Sequence, residues 1–83
     1  MNEFDSMTDW YRDRTIHALE AAGHLRVDQE KSNRLIGPFE ARRSGINGFE
    51  IVSSDGTTGV WVIGEENANE LVKLMTQAQR LLA

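Results

Sequence analysis

Cysteine is absent from this 83-residue chain. That excludes a disulfide framework, a thiolate metal site and a thiol nucleophile. A secreted domain of this size usually needs such a staple, so the absence points to a reducing, cytoplasmic address. No apolar run approaches membrane-spanning length, and the opening Met1-Asn2-Glu3-Phe4-Asp5-Ser6 lacks the apolar stretch of a signal peptide. The expectation is therefore a small intracellular protein with no membrane partner. Proline occurs once, at Pro38, so little in the chain forbids regular structure. A broad positive field is also missing. Nine basic residues stand against thirteen acidic ones, for a formal charge of −4, which disfavours nucleic acid as a partner.

The charge is unevenly placed. Residues 1–33 and 44–83 are each net acidic, whereas residues 34–43 carry Arg34, Arg42 and Arg43 against Glu40. An acidic binder aimed at a basic protein surface fits this balance, and so does ordinary solubility. A chain of this length buries roughly 60–65% of the surface it exposes when unfolded, so one domain, residues 1–83, is all it can support. A deep water-excluding pocket would have to come out of that thin core, which biases the reading away from an enzyme.

The elements follow from periodicity. Ser6-Met7-Thr8-Asp9 has the form of a capping box. Beyond it Met7, Trp10, Tyr11, Ala18, Ala21, Ala22 and Leu25 share one helical face, with Ile16 and Leu19 off the stripe. Gly23 supplies a C-terminal stop. Leu25-Arg26-Val27 is open between strand and loop, and residues 28–33 read as a polar loop. Three strand candidates come next: residues 34–43 interrupted by Gly37-Pro38, then Phe49–Ser53, then Val60–Ile63. Pro38 suggests that the first lies at an edge or is bent. Asn67 is placed to cap a last helix with Glu70 three residues on, and Ala68, Leu71, Val72, Leu74, Met75, Ala78, Leu81 and Leu82 repeat as its apolar face. The expected fold is α+β: an N-terminal helix, a three-stranded antiparallel meander and a C-terminal amphipathic helix in a small two-layer domain.

No spacing fixes a reaction or a cofactor. Asp9, Asp13, His17, Glu20 and His24 form a ridge at helical spacing, which could present imidazole and carboxylate to a metal. One exposed helix closes poorly around an ion, so a solvated or partner-binding face is the plainer account. Ser53, Ser54 and Asp55 lack a nucleophile elbow and read as turn chemistry. Asp55–Gly59 feeds a strand, whereas a phosphate cradle feeds a helix N-terminus. Val60-Trp61-Val62-Ile63 carries more information. Trp61 and Ile63 project to one face of the sheet and Val60 and Val62 to the other, with both faces apolar. Either Trp61 is core, or it marks an exposed patch of the kind that binds partners. Arg42 and Arg43 read as charge that blunts an edge strand.

The stretch from Gly59 to Ala83 resembles the ending of many small bacteriophage and prophage proteins, in which a strand runs into an Asn-Ala-x-Leu-Ile helix that closes on Leu-Leu. Glu66-Asn67-Ala68, Leu71-Val72 and Leu81-Leu82 carry the likeness. One extra residue separates the first two groups, and the mid-helix proline of that pattern is missing. The resemblance implies a phage-encoded accessory protein of the anti-CRISPR type, a stoichiometric inhibitor that occludes a site on a host defence complex. It carries over no catalytic residues. The leading expectation is thus a non-catalytic inhibitor or adaptor that binds a host protein or protein complex through Trp61, Ile63, Asp13, His17 and Glu20, with no cofactor. A homodimer or other homo-oligomeric subunit is the alternative, and a small metal protein or enzyme built on His17 and His24 comes third.

Overall fold

The computed structural model describes the backbone of residues 7–82. The capping box at Ser6 and the apolar side chains of Met7, Leu81 and Leu82 lie outside the residues and side chains so described. A 3-10 helix, Met7–Arg12, leads into α1, Arg14–Ala21. Then follow β1 (Leu25–Val27), α2 (Gln29–Ser32), β2 (Glu40–Arg43), β3 (Gly48–Val52), β4 (Thr58–Ile63) and α3 (Glu65–Leu82). The fold is α+β, with one antiparallel sheet in the order β1-β4-β3-β2.

The long helix is held by its apolar face. Ala68, Leu71, Met75 and Ala78 are buried at steps of three, four and three residues, as a 3.6-residue repeat demands. Each large side chain so buried contributes roughly 1.5–3 kcal/mol. The helix begins earlier than an Asn67 cap would place it. Gly64 takes a φ of +98°, and its carbonyl accepts from the Ala68 N–H at 3.0 Å. A residue that tolerates the left-handed region lets the chain turn directly from β4 into the helix. Asn67 therefore lies inside the first turn, where its Nδ2 donates to the Ile63 carbonyl at 2.9 Å. Glu70 falls in the second turn, beyond the reach of the helix N-terminus.

The sheet has four strands where three were expected. Leu25–Val27 pairs with β4 through Leu25–Val62, Arg26–Trp61 and Val27–Val60, so this short segment becomes an edge rather than a loop. The residues after it are a capped helical turn: the Asp28 carboxylate accepts from the Lys31 N–H at 3.1 Å. The first expected strand is shorter than its sequence suggested. Leu35 leaves the sheet for the core, Ile36 faces solvent, and only Glu40–Arg43 pairs, as the other edge. Leu25, Phe49, Ile51, Val60 and Val62 face inward and meet Leu71 and Met75 of α3 in one cluster with Trp10, Ile16 and Leu35.

The N-terminal helix is broken, and the break changes its buried face. Asp13 stands in extended conformation and its carboxylate accepts from the Thr15 N–H at 2.8 Å, so it caps a new helix. The 3-10 turn before it has a different period, and the stripe drawn across both does not survive. Ile16 is the fully buried residue of α1, whereas Ala18, Ala21 and Ala22 are exposed. The expected stop at Gly23 is present in full. Gly23 (φ +78°) donates to the Glu20 carbonyl at 3.0 Å and His24 to the Leu19 carbonyl at 2.9 Å, the paired closure of a Schellman motif.

Candidate functional site

With α3 on the inner face, the strand alternation assigns the other side chains to the outer face. Register then builds a row. Arg26 of β1 lies opposite Trp61 of β4, Trp61 opposite Glu50 of β3, and Glu50 opposite Arg42 of β2. One residue from every strand thus forms a line of arginine, tryptophan, glutamate and arginine across the sheet. Neighbours across strands on one face are close enough to interact. The Arg26 guanidinium sits 5.8 Å from the Trp61 ring centroid, within cation–π range. Ser44 donates to Glu50 at 3.2 Å. Ile63 lies on the same face as Trp61, opposite Gly48.

Trp61 is therefore a half-exposed surface residue, and the core tryptophan is Trp10, only 3% exposed. The indole of Trp61 lies across Gly48: a Cβ there would come within 2.8 Å of Nε1 and 3.0 Å of Cζ2. Glycine at 48 thus lets the indole settle against backbone, and the ring gains a fixed position while staying partly accessible. Beside it a shallow concavity of about 170 Å³ is lined by Arg26, Asp28, Lys31, Glu50, Thr58 and Trp61. Sites that enclose small ligands run to roughly 300–1,000 Å³, so this hollow is too small to enclose one. A second hollow, about 300 Å³ between Gly37–Phe39 and the last turns of α3, has no carboxylate or imidazole in its lining.

The ridge on α1 does not join this face. The helix packs on β1 and the 3-10 helix. Asp13 is committed to capping. Glu20 accepts a hydrogen bond from the Tyr11 hydroxyl, and His17 meets the Tyr11 ring edge-on at 5.3 Å. That carboxylate bond, helped by partial burial and the nearby charge, pushes the Tyr11 hydroxyl up to about 12. His24 lies beyond the helix end, so its pairing with Glu20 at helical spacing does not form. Among the described residues no three His, Asp or Glu side chains gather as a metal site would require. Ser53 donates to Asp55, and Asp55 accepts from the Thr57 N–H at 2.9 Å. These bonds, the serine's first, hold the Asp55 carboxyl down at about 2, and they are the chemistry of a hairpin turn.

Sequence reading missed Arg26 and Glu50 as members of the surface, and it treated Arg42 only as edge charge. Their alignment with Trp61 depends on register, for which single-strand alternation carries no signal. Ile46 was missed as well. It is 96% exposed at the β2–β3 hairpin tip, between turn residues that hid it. No described helix is long and apolar enough to cross a membrane. No family model, curated protein or solved structure matches the chain. The class that can be stated is that of the fold, a small α+β domain with α3 packed on one face of its sheet.

Proposed function

We propose that this chain is a non-catalytic protein-binding inhibitor or adaptor that docks through the outer face of its sheet. The observation that carries the reading is the half-exposed, positioned Trp61 with Ile63 beside it, set in a row with Arg26, Glu50 and Arg42 on the face opposite α3. Tryptophan and arginine are the residues most enriched where truncation costs 2 kcal/mol or more of binding. Alternating charge around them supplies register and specificity. The C-terminal resemblance suggests the setting: a phage-encoded protein of the anti-CRISPR type whose target is a host defence complex, inhibited by occlusion. On this reading the α1 ridge is at most a flank of the interface.

The test is affinity capture from bacterial lysate with wild type and Trp61→Ser in parallel, bound proteins identified by mass spectrometry and folding checked by circular dichroism. One host complex held by wild type and released by the folded variant supports the reading. Equal retention by both proteins sinks it. Mass that rises with concentration in wild type and not in Trp61→Ser would instead assign the face to self-association.

A further inference from the structure

The outer face is too small to hold a partner alone. Four strands at about 4.8 Å each and five residues at about 3.3 Å each cover about 320 Å², against the roughly 800 Å² per partner of a stable interface. Whatever docks must reach beyond it. Two sheet edges border the face, and they differ. β1 has three residues, with α1 packed against it. β2 has four, and its packing partners are β3 and α3.

Register shows what β2 offers. The Ser44 N–H donates to the Gly48 carbonyl at 2.8 Å, so hydrogen-bonded pairs fall at Ser44–Gly48, Arg42–Glu50 and Glu40–Val52. The backbone N–H and C=O of Ala41 and Arg43 therefore point away from the sheet. Side chains at this edge are basic at its hairpin end. Arg42 closes the outer-face row and has no ion-pair partner among the described residues. Arg43 lies on the other face, 5.3 Å from the Phe49 ring, with Nη1 donating to the Ile46 carbonyl at 3.0 Å.

We infer that the β2 edge completes the docking surface by accepting an extended acidic segment of the partner as an added strand. The inference rests on the protein-binding reading above and names the partner's chemistry. Successive side chains of an added strand alternate faces, so neighbouring carboxylates would meet Arg42 on one face and Arg43 on the other. Backbone pairing supplies affinity, and this charge match supplies specificity. Glu40 on the outer face sets the limit of the acidic match at the far end of β2. A second copy fits less well: an antiparallel β2 pair centred on Ala41 matches Arg42 with Glu40 but leaves Arg43 without a carboxylate, and a pair centred on Arg42 or Arg43 opposes like charges. Nucleic acid fits poorly too, since the edge alternates donors with carbonyl acceptors and the chain is net −4.

The experiment titrates a short soluble peptide with two neighbouring glutamates flanked by threonines, so that one carboxylate falls on each face, into the labelled full chain, read by amide chemical shifts. Shifts centred on Ala41–Ser44 are expected. Ala41→Pro removes one outward donor at an edge position where proline is tolerated, and the affinity should drop by on the order of tenfold or more. Arg42→Glu with Arg43→Glu tests the charge separately and should also abolish the shifts. Shifts that survive all three substitutions, or that centre on Trp61, overturn the inference. So does an absence of shifts at millimolar peptide. So does a preference for a single-stranded oligonucleotide of matched charge. If capture by wild type is lost in Trp61→Ser while the peptide fails, the outer-face reading stands and the edge inference alone is wrong.

Discussion

Replacing Gly48 by alanine probes how Trp61 is positioned. Gly48 has no left-handed φ, so the backbone accepts alanine, and stiffening the unfolded chain should stabilise by about 0.4–1 kcal/mol. Contacts oppose this. The new Cβ would lie 2.5 Å from the Ser44 carbonyl oxygen, 2.8 Å from Trp61 Nε1 and 3.0 Å from Cζ2. The indole can swing aside, but the carbonyl belongs to the hairpin backbone and accepts no such adjustment. Overpacking of this kind costs about 1–3 kcal/mol, so the net expectation is a loss of about 1–2 kcal/mol. For a domain of this size that lowers Tm by roughly 5–15 °C. Equilibrium urea denaturation measures it, with Trp61→Ala as a second background. There the indole share of the cost should disappear while the carbonyl share remains. A Gly48→Ala protein as stable as wild type, or more stable, would refute the packing argument and remove the basis for calling Trp61 positioned.

Other predictions follow from single groups. The buried Trp10 Nε1 has no hydrogen-bond partner among the described residues, so Trp10→Phe removes an unpaired donor and should cost under about 1 kcal/mol, whereas Trp10→Ala should cost about 3–5 kcal/mol; denaturant midpoints separate the two. Asp55 is held at about 2, below its ordinary 3.8. Its contribution is therefore present above the unfolded value and lost as pH falls through the folded one, so Asp55→Asn should flatten the stability profile between about pH 4 and about pH 2. Tyr11 is raised from 10.0 to about 12, so its contribution holds below the unfolded value and is lost as pH rises through the folded one. Since Tyr11 is the only tyrosine, the tyrosinate absorbance of the folded protein should titrate near that raised value, and Glu20→Ala should bring the midpoint back toward 10.0.

Where local pattern decides structure, the sequence was legible. Ala68, Leu71, Met75 and Ala78 share a face by helical period alone. Val60 and Val62 are buried while Trp61 and Ile63 are not, as strand alternation requires. Gly23 ended α1 because a left-handed stop is cheap only there. What failed depended on distant partners. Three residues make β1 a strand only because β4 is there to receive them. Gly64 outcompetes Asn67 for the helix start in a turn also held by its own N–H to the Asn47 carbonyl, 2.9 Å away. Ile16 could not be phased correctly while Asp13 was read as one more residue of a continuous helix. The row of Arg26, Trp61, Glu50 and Arg42 needed three registers at once, and no single segment carries that information.

The central claim is that Trp61 enters the interface. In a Trp10→Phe protein Trp61 is the only tryptophan left, so its fluorescence reports on the outer face alone. The captured partner should be titrated into this protein, following the emission maximum and quenching by acrylamide. A blue shift with loss of quencher access, saturating at stoichiometric partner, is the predicted result. A partner that binds while Trp61 emission and quenching stay unchanged would contradict the account.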